Sequence, residues 1–191
     1  MADLSALKEA KRKEDPILYM DGVHPQHNSH PDYGWLPRGK ESELKANTGR
    51  QRVTLNGALN SETNDIHVRA EQVLNSANTV EYFKGIEAAY PEAKRIYISL
   101  DNAGYYRGKK IKSYLENSKI ELLYLPPYAP NLNLIERVWK FFKKKVLASR
   151  YYESFLEFKT ACLQFFEKKN WQGRSAELET LLAPNFQITG K

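Results

Sequence analysis

Two compact apolar runs constrain the architecture more than any other feature. Arg95 to Leu100 reads RIYISL and Ile120 to Leu125 reads IELLYL. Both are short, continuous rather than alternating, and rich in Ile, Leu and Tyr, the pattern of strands buried on both faces. Lys109 to Leu115 lies between them and reads as a helix. Parallel strands need such a crossover, so the unit predicts a parallel pair. Thr79 to Tyr90 is a further helix, with Val80, Phe83, Ile86 and Ala89 or Tyr90 at helical spacing and Pro91 closing it. Downstream, Ile135, Trp139, Phe142 and Val146 form one core-facing stripe. Phe155 to Lys168 forms another helix, with Phe155, Phe158, Cys162, Phe165 and Phe166 inward.

The first part of the chain has a different rhythm. Asp3 to Glu14 is a short charged helix, and Pro16 ends it because the residue before proline avoids helical geometry. Ile17 to Met20, Arg52 to Leu59 and Ile66 to Val73 read as strands that follow one another without helices, so they can pair antiparallel. The sum is an α/β chain with a mixed sheet and helices on both faces. Gly22 to Gln51 is long and polar, which in a compact domain marks a functional loop or a hidden hairpin. Tyr33-Gly34-Trp35-Leu36 is a candidate strand within it.

At 191 residues and 41% hydrophobic content, the chain suits one domain with a real core. It has no apolar run of membrane-spanning length and no signal-peptide pattern after Met1. A single cysteine, Cys162, excludes an internal disulfide framework and fits a reducing compartment; without CxxC pairs a thiolate zinc site is excluded. His24, His27 and His30 read as polar loop histidines, with His24 of interest because it lies near Asp21.

Chemistry is suggested by three carboxylates. Asp21 and Asp101 end apolar strands, where α/β sheets gather their ligand chemistry. Carboxylates on neighbouring strands repel unless a cation separates them, and oxygen ligands suit Mg²⁺ or Mn²⁺. Glu136, from a helix beside those strands, would complete a two-metal site for phosphodiester chemistry. Each residue has a plainer reading. Asp21-Gly22 is a common turn pair, Asp101 lies just before Gly104 in a turn-like stretch, and Glu136 follows Asn133 at capping-box spacing.

The net charge is +6, from 29 basic and 23 acidic residues, and its distribution matters more than its size. Arg137, Lys140, Lys143, Lys144, Lys145 and Arg150 follow Glu136 with no acid among them. Arg107, Lys109, Lys110 and Lys112 follow Asp101. Either run alone reads as a solvated helix face. Together, each just after a candidate carboxylate, they favour a track for a phosphate backbone. Lys140 and Lys143 share the helix face of Glu136.

Three segments carry a family resemblance: YMDGVHP at Tyr19 to Pro25, LDNAGYYRGKKIKSYL at Leu100 to Leu115, and LPPYAPNLNLIERVWKFFKK at Leu125 to Lys144. The chain resembles the catalytic domain of DDE transposases of the mariner-like superfamily, in its bacterial insertion-sequence branch. The 34 residues from Asn102 to Ile135 match the spacing of that branch. YGW at Tyr33, TGRQR at Thr48 and the ending LLAPNFQITG are similar to further family features. Many relatives have histidine in place of Tyr106 and proline in place of Leu134.

The resemblance implies a ribonuclease H-like fold with a mixed five-stranded sheet, its first three strands antiparallel and its last two parallel. It implies residues 1–15 as a helical extension before a catalytic domain at 16–191. It maps a metal-binding catalytic triad onto Asp21, Asp101 and Glu136, holding two Mg²⁺ (or Mn²⁺) ions. The implied reaction is cleavage at transposon ends followed by joining of the 3′ ends to target DNA, commonly at TA. Candidate DNA contacts are Lys140, Lys143, Lys144, Arg137, Arg107 and Asn102. The family further implies a homodimer, with His24 to Arg52 placed to clamp the partner; Trp35 in that loop reads as stacking on a base or a partner subunit, or as local packing. About fifteen residues precede the first strand, too few for the helix-turn-helix modules that relatives carry, which leaves three readings open: the second product of a split reading frame with that module on a separate polypeptide, a truncated relic, or an isolated catalytic domain. A bacterial cytoplasmic, nucleoid-associated location and no membrane partner complete the expectations.

Overall fold

A computed structural model describes residues 4–28, 48–126 and 133–183. Helix α1 (Leu4–Ala10) leads into β1 (Ile17–Val23), followed by β2 (Gln26–Asn28), β3 (Thr48–Arg52), β4 (Thr54–Asn60) and β5 (Ile66–Glu71). Then come α2 (Ser76–Ala89), β6 (Ile96–Leu100), a 3-10 turn (Gly104–Arg107), α3 (Lys109–Leu115) and β7 (Ile120–Tyr124). The chain continues through α4 (Ile135–Phe142), a π turn (Lys143–Leu147), α5 (Phe155–Phe165), α6 (Lys168–Gln172) and α7 (Ser175–Leu182).

The main sheet has five strands in the order β5-β4-β1-β6-β7. β5, β4 and β1 pair antiparallel; β1, β6 and β7 pair parallel. The expected mixed sheet is therefore present, and β1 is the strand where the two halves meet. Asp15 fastens this junction at one end, accepting the backbone N–H groups of Lys94 at 2.8 Å and Arg95 at 3.1 Å just before β6. The apolar runs predicted for β6 and β7 fall where expected; β6 is buried along its whole length, whereas β7, at the edge of the sheet, is buried only in part, which corrects the expectation of burial on both faces.

Alternation along the strands sorts the core into two layers. Ile17, Tyr19, Val23, Leu55 and Leu59 point to one face, where Ile135, Trp139, Phe142, Phe158 and Phe165 cover them. Leu18, Met20, Ala58, Ile96 and Ile98 point to the other, beneath Phe83, Ile86, Tyr106 and Ile111. Leu4 and Leu7 of α1 pack against the first layer.

Three further sequence expectations change. β1 does not stop at Met20 but runs to Val23, with Asp21 opposite Gly57 and Gly22 opposite Asn56 on β4. Asp21-Gly22 is thus ladder, not turn. The strand expected over Arg52 to Leu59 is β4, begun two residues later, while Arg52 ends β3, which pairs with β2 in a separate two-stranded sheet formed from the two ends of the long polar stretch. Helix α7 was not anticipated, because SAELETLL buries only Leu178 and Leu182. The expected strand at Tyr33 to Leu36, together with Trp35 and His30, lies outside the described residues.

Candidate active site

Asp21 sits in β1 on the face of Tyr19 and Val23, partly buried. Asp101 is exposed immediately after β6, and its Oδ1 accepts the Ala103 N–H at 3.0 Å. The turn reading of Asp101 is therefore correct, and it leaves the other carboxylate oxygen available. Glu136 stands in the first turn of α4, half-buried.

The three groups are close enough to feel one another. Burial pushes the Asp21 carboxyl up to about 6, and the charges of Asp101 and Glu136 push in the same direction; the Gly22 N–H and Trp139 oppose them. Glu136 is also raised, first by burial and then by Asp101, against the pull of Lys140 and Lys143. Among the described residues, no three His, Cys, Asp or Glu side chains gather tightly enough to hold a single ion. The donor set is nevertheless purely carboxylate, and its mutual repulsion is what a hard divalent cation would relieve.

The placement of Glu136 has a specific cause. Capping-box spacing predicts that Asn133 caps α4, but the helix has Leu134 at its N-cap position and no side-chain cap bond. Asn133 turns inward instead and donates from Nδ2 to the Met20 carbonyl at 3.1 Å. The same spacing does make a capping box at Ser154 and Glu157, where α5 begins. Glu136 is thus not engaged as a cap. One turn further on, Trp139 lies on Gly57, where a Cβ would stand 2.5 Å from Cη2. The missing side chain lets α4 sit against the sheet beside Asp21.

The candidate DNA contacts separate into distinct environments. Lys140 and Lys143 are exposed and lie within electrostatic reach of Glu136. The π turn buries Val146 and Leu147 while Lys143, Lys144 and Lys145 stay exposed; such widened turns recur at functional sites. Lys145 pairs with Glu177 at 2.5 Å. Arg137 donates to the carbonyls of Leu181 at 3.3 Å and Ala183 at 3.0 Å, at the end of α7. It anchors a helix terminus.

Asn102 and Arg107 form one assembly. Asn102 Nδ2 donates to the Leu125 carbonyl at 2.9 Å, and its Oδ1 accepts from Arg107. The Arg107 guanidinium lies 5.0 Å from the centre of the Tyr124 ring. Tyr124, 41% exposed, in turn donates to the Tyr106 carbonyl at 3.1 Å. Sequence reading missed Tyr124 because it closes an apolar strand. His24 contacts Thr54 through Nδ1 at 3.2 Å, and burial with the nearby Arg52 lowers its pKa. His27 is structural: it is buried, meets the Tyr152 carbonyl at 2.9 Å and lies against Phe155 and Phe158.

A five-stranded mixed sheet, three strands antiparallel and the last two parallel to the first, with helices packed on both faces, is a ribonuclease H-like fold. The chain belongs to the DDE superfamily endonucleases, whose family model matches residues 16–159. It is 30% identical over 128 residues to the insertion element IS630 uncharacterized 39 kDa protein of Shigella sonnei, covering 66% of this chain and 37% of that protein. It is 28% identical over 88 residues to the uncharacterized protein y4pE/y4sA of Sinorhizobium fredii, covering 46% of this chain and 63% of the relative. The matched part therefore spans little more than a third of the IS630 protein. The fold is similar to the Mos1 mariner transposase catalytic domain, with TM-score 0.61, 15% identity, and coverage of 94% of this chain and 84% of that one. It is also similar to Mos1 in its strand transfer complex, with TM-score 0.64, 17% identity, and coverage of 93% and 56%. Among the described residues, no helix is long and apolar enough to cross a membrane.

Proposed function

We propose that this chain is the catalytic part of an insertion-sequence transposase, cutting DNA at element ends and joining the freed 3′ ends to target DNA. The observation that carries the reading is the grouping of Asp21, Asp101 and Glu136, in which the charges of the other two carboxylates add to burial in raising the Asp21 carboxyl to about 6. When bound, two Mg²⁺ or Mn²⁺ ions would supply Lewis acidity, nucleophile activation and alignment of the scissile phosphate. Asp21, Asp101 and Glu136 hold the ions. Lys140 and Lys143, beside Glu136, hold DNA phosphates, with Lys144 extending the track and Arg107 gripping the backbone near Asp101.

Mos1 has been solved as a paired-end complex with Mg and, separately, with Mn, which supports a divalent metal here. By the same analogy the chain acts as a dimer on paired DNA ends, with end recognition supplied by a helix-turn-helix module and a TA target. Residues 1–15 serve as an extension and 16–191 as the catalytic unit. The place of action is the bacterial nucleoid.

The test supplies pre-cleaved element ends, a supercoiled target and Mg²⁺. Joined product, absent with Glu136→Gln, is the expected result. Cleavage of uncut ends without joining would identify a nuclease of the same fold. Neither cleavage nor metal binding would identify a catalytically silent DNA-binding derivative.

A further inference from the structure

We propose that Trp139 is a positioning residue for Asp21, its indole N–H holding one oxygen of that carboxylate. Asp21 and Gly57 are direct cross-strand partners on β1 and β4. The space above Gly57 is filled by the Trp139 ring, since a Cβ there would lie 2.5 Å from Cη2 and 2.7 Å from Cζ2. Cζ2 is one bond from the carbon that carries Nε1, so the N–H edge of the indole is the edge turned towards this strand pair. Trp139 is only 4% exposed, and its N–H closes no hydrogen bond of ordinary length, yet it lies near enough to the Asp21 carboxylate to oppose the rise of its pKa. A buried donor left unpaired is costly, because it gives up its hydrogen bond to water and gains none in return.

The other described tryptophan of the core is treated differently. Trp171 donates its N–H to the Asn64 carbonyl at 2.7 Å. Trp139 cannot turn away to find such a partner, because its ring packs edge-on against Phe142 at 6.5 Å and Phe166 at 5.7 Å. Rotation of the shorter Asp21 side chain is what closes the bond. Charge on the acceptor makes it stronger than a neutral pair. A carboxylate fixed in this way keeps its second oxygen available, which is how supporting hydrogen bonds tune ligands.

The consequence for metal rests on reading Asp21 as a ligand; the N–H pairing does not. The chain has three tryptophans, so an ¹⁵N spectrum of the full metal-free chain carries three indole signals, and Trp139→Phe assigns one by its loss. With Asp21→Ala, the Trp139 signal should move upfield while that of Trp171 stays in place. A Trp139 signal that does not move overturns the proposal. In parallel, Trp139→Phe should weaken Mn²⁺ binding about 10-fold. A lowered melting temperature with unchanged Mn²⁺ affinity would mean that Trp139 is only core. Wild type that binds no Mn²⁺ would overturn the metal reading alone, and the indole signal would still decide the pairing.

Discussion

Asn133 Nδ2 lies 3.1 Å from the carbonyl oxygen of Met20, in a buried hydrogen bond spanning 113 positions of sequence. The bond joins the start of the helix carrying Glu136 to the strand carrying Asp21. Asn133→Ala removes the donor and leaves a polar space where the core is dense. A loss of about 1–2 kcal/mol is expected, read as a lower urea midpoint at unchanged slope. An unaltered midpoint would show that the tether carries no stability.

The same residue shows what sequence could and could not reveal. Asn133-x-x-Glu136 and Ser154-x-x-Glu157 have equivalent spacing, yet only the second is a capping box. Nothing local distinguishes them; the Met20 carbonyl does, and it arrives from the far end of the fold. β6 was legible because burial on both sides leaves a continuous apolar run, and β7 carries a similar run although, at the edge of the sheet, it is only partly buried. The end of β1 was not, because Asp21 and Gly22 look like a turn until β4 pairs with them. The carboxylates were legible through strand ends and family motifs. The Arg107–Tyr124 contact and the indole of Trp139 were not, since an aromatic in an apolar stretch reads as core.

Asp21 makes stability depend on pH. Its carboxyl is raised from an ordinary 3.8 to about 6 in the fold, so the native state binds the proton more tightly than the unfolded chain. The stabilisation is fully present below about pH 4 and is lost as pH rises to about 6, a difference on the order of 2–3 kcal/mol. Without divalent metal, the melting temperature should therefore fall across this window. Asp21→Asn should flatten the fall, and a wild-type curve level from pH 4 to 6 would contradict the assigned burial of Asp21 beside Asp101 and Glu136.

Arg107 and Asn102 should act as a unit on DNA. Because Asn102 is occupied by Leu125 and Arg107, its removal should weaken binding by releasing Arg107. Asn102→Ala and Arg107→Ala are expected to give similar losses, and the double variant little more than either alone. Fully additive losses in a fluorescence-anisotropy cycle would mean that Asn102 touches DNA itself.

Lys140 and Lys143 should contribute through phosphate neutralisation. Replacing both with alanine should reduce the slope of log affinity against log salt by nearly 2, about 0.9 per lost phosphate contact on duplex DNA. The variant should keep its melting temperature, because both side chains are exposed. An unchanged slope would place the DNA elsewhere.

The central claim is that Asp21, Asp101 and Glu136 form one metal-dependent cutting site. The most direct measurement is nicking of supercoiled plasmid by wild type and by Asp101→Ala, with Mg²⁺, with Mn²⁺ and with chelator. Asp101 is exposed, so the variant should fold normally. Nicking by wild type with either metal, and none with chelator or with Asp101→Ala, is the predicted result. Equal nicking by both proteins, or nicking that survives chelation, would contradict the account.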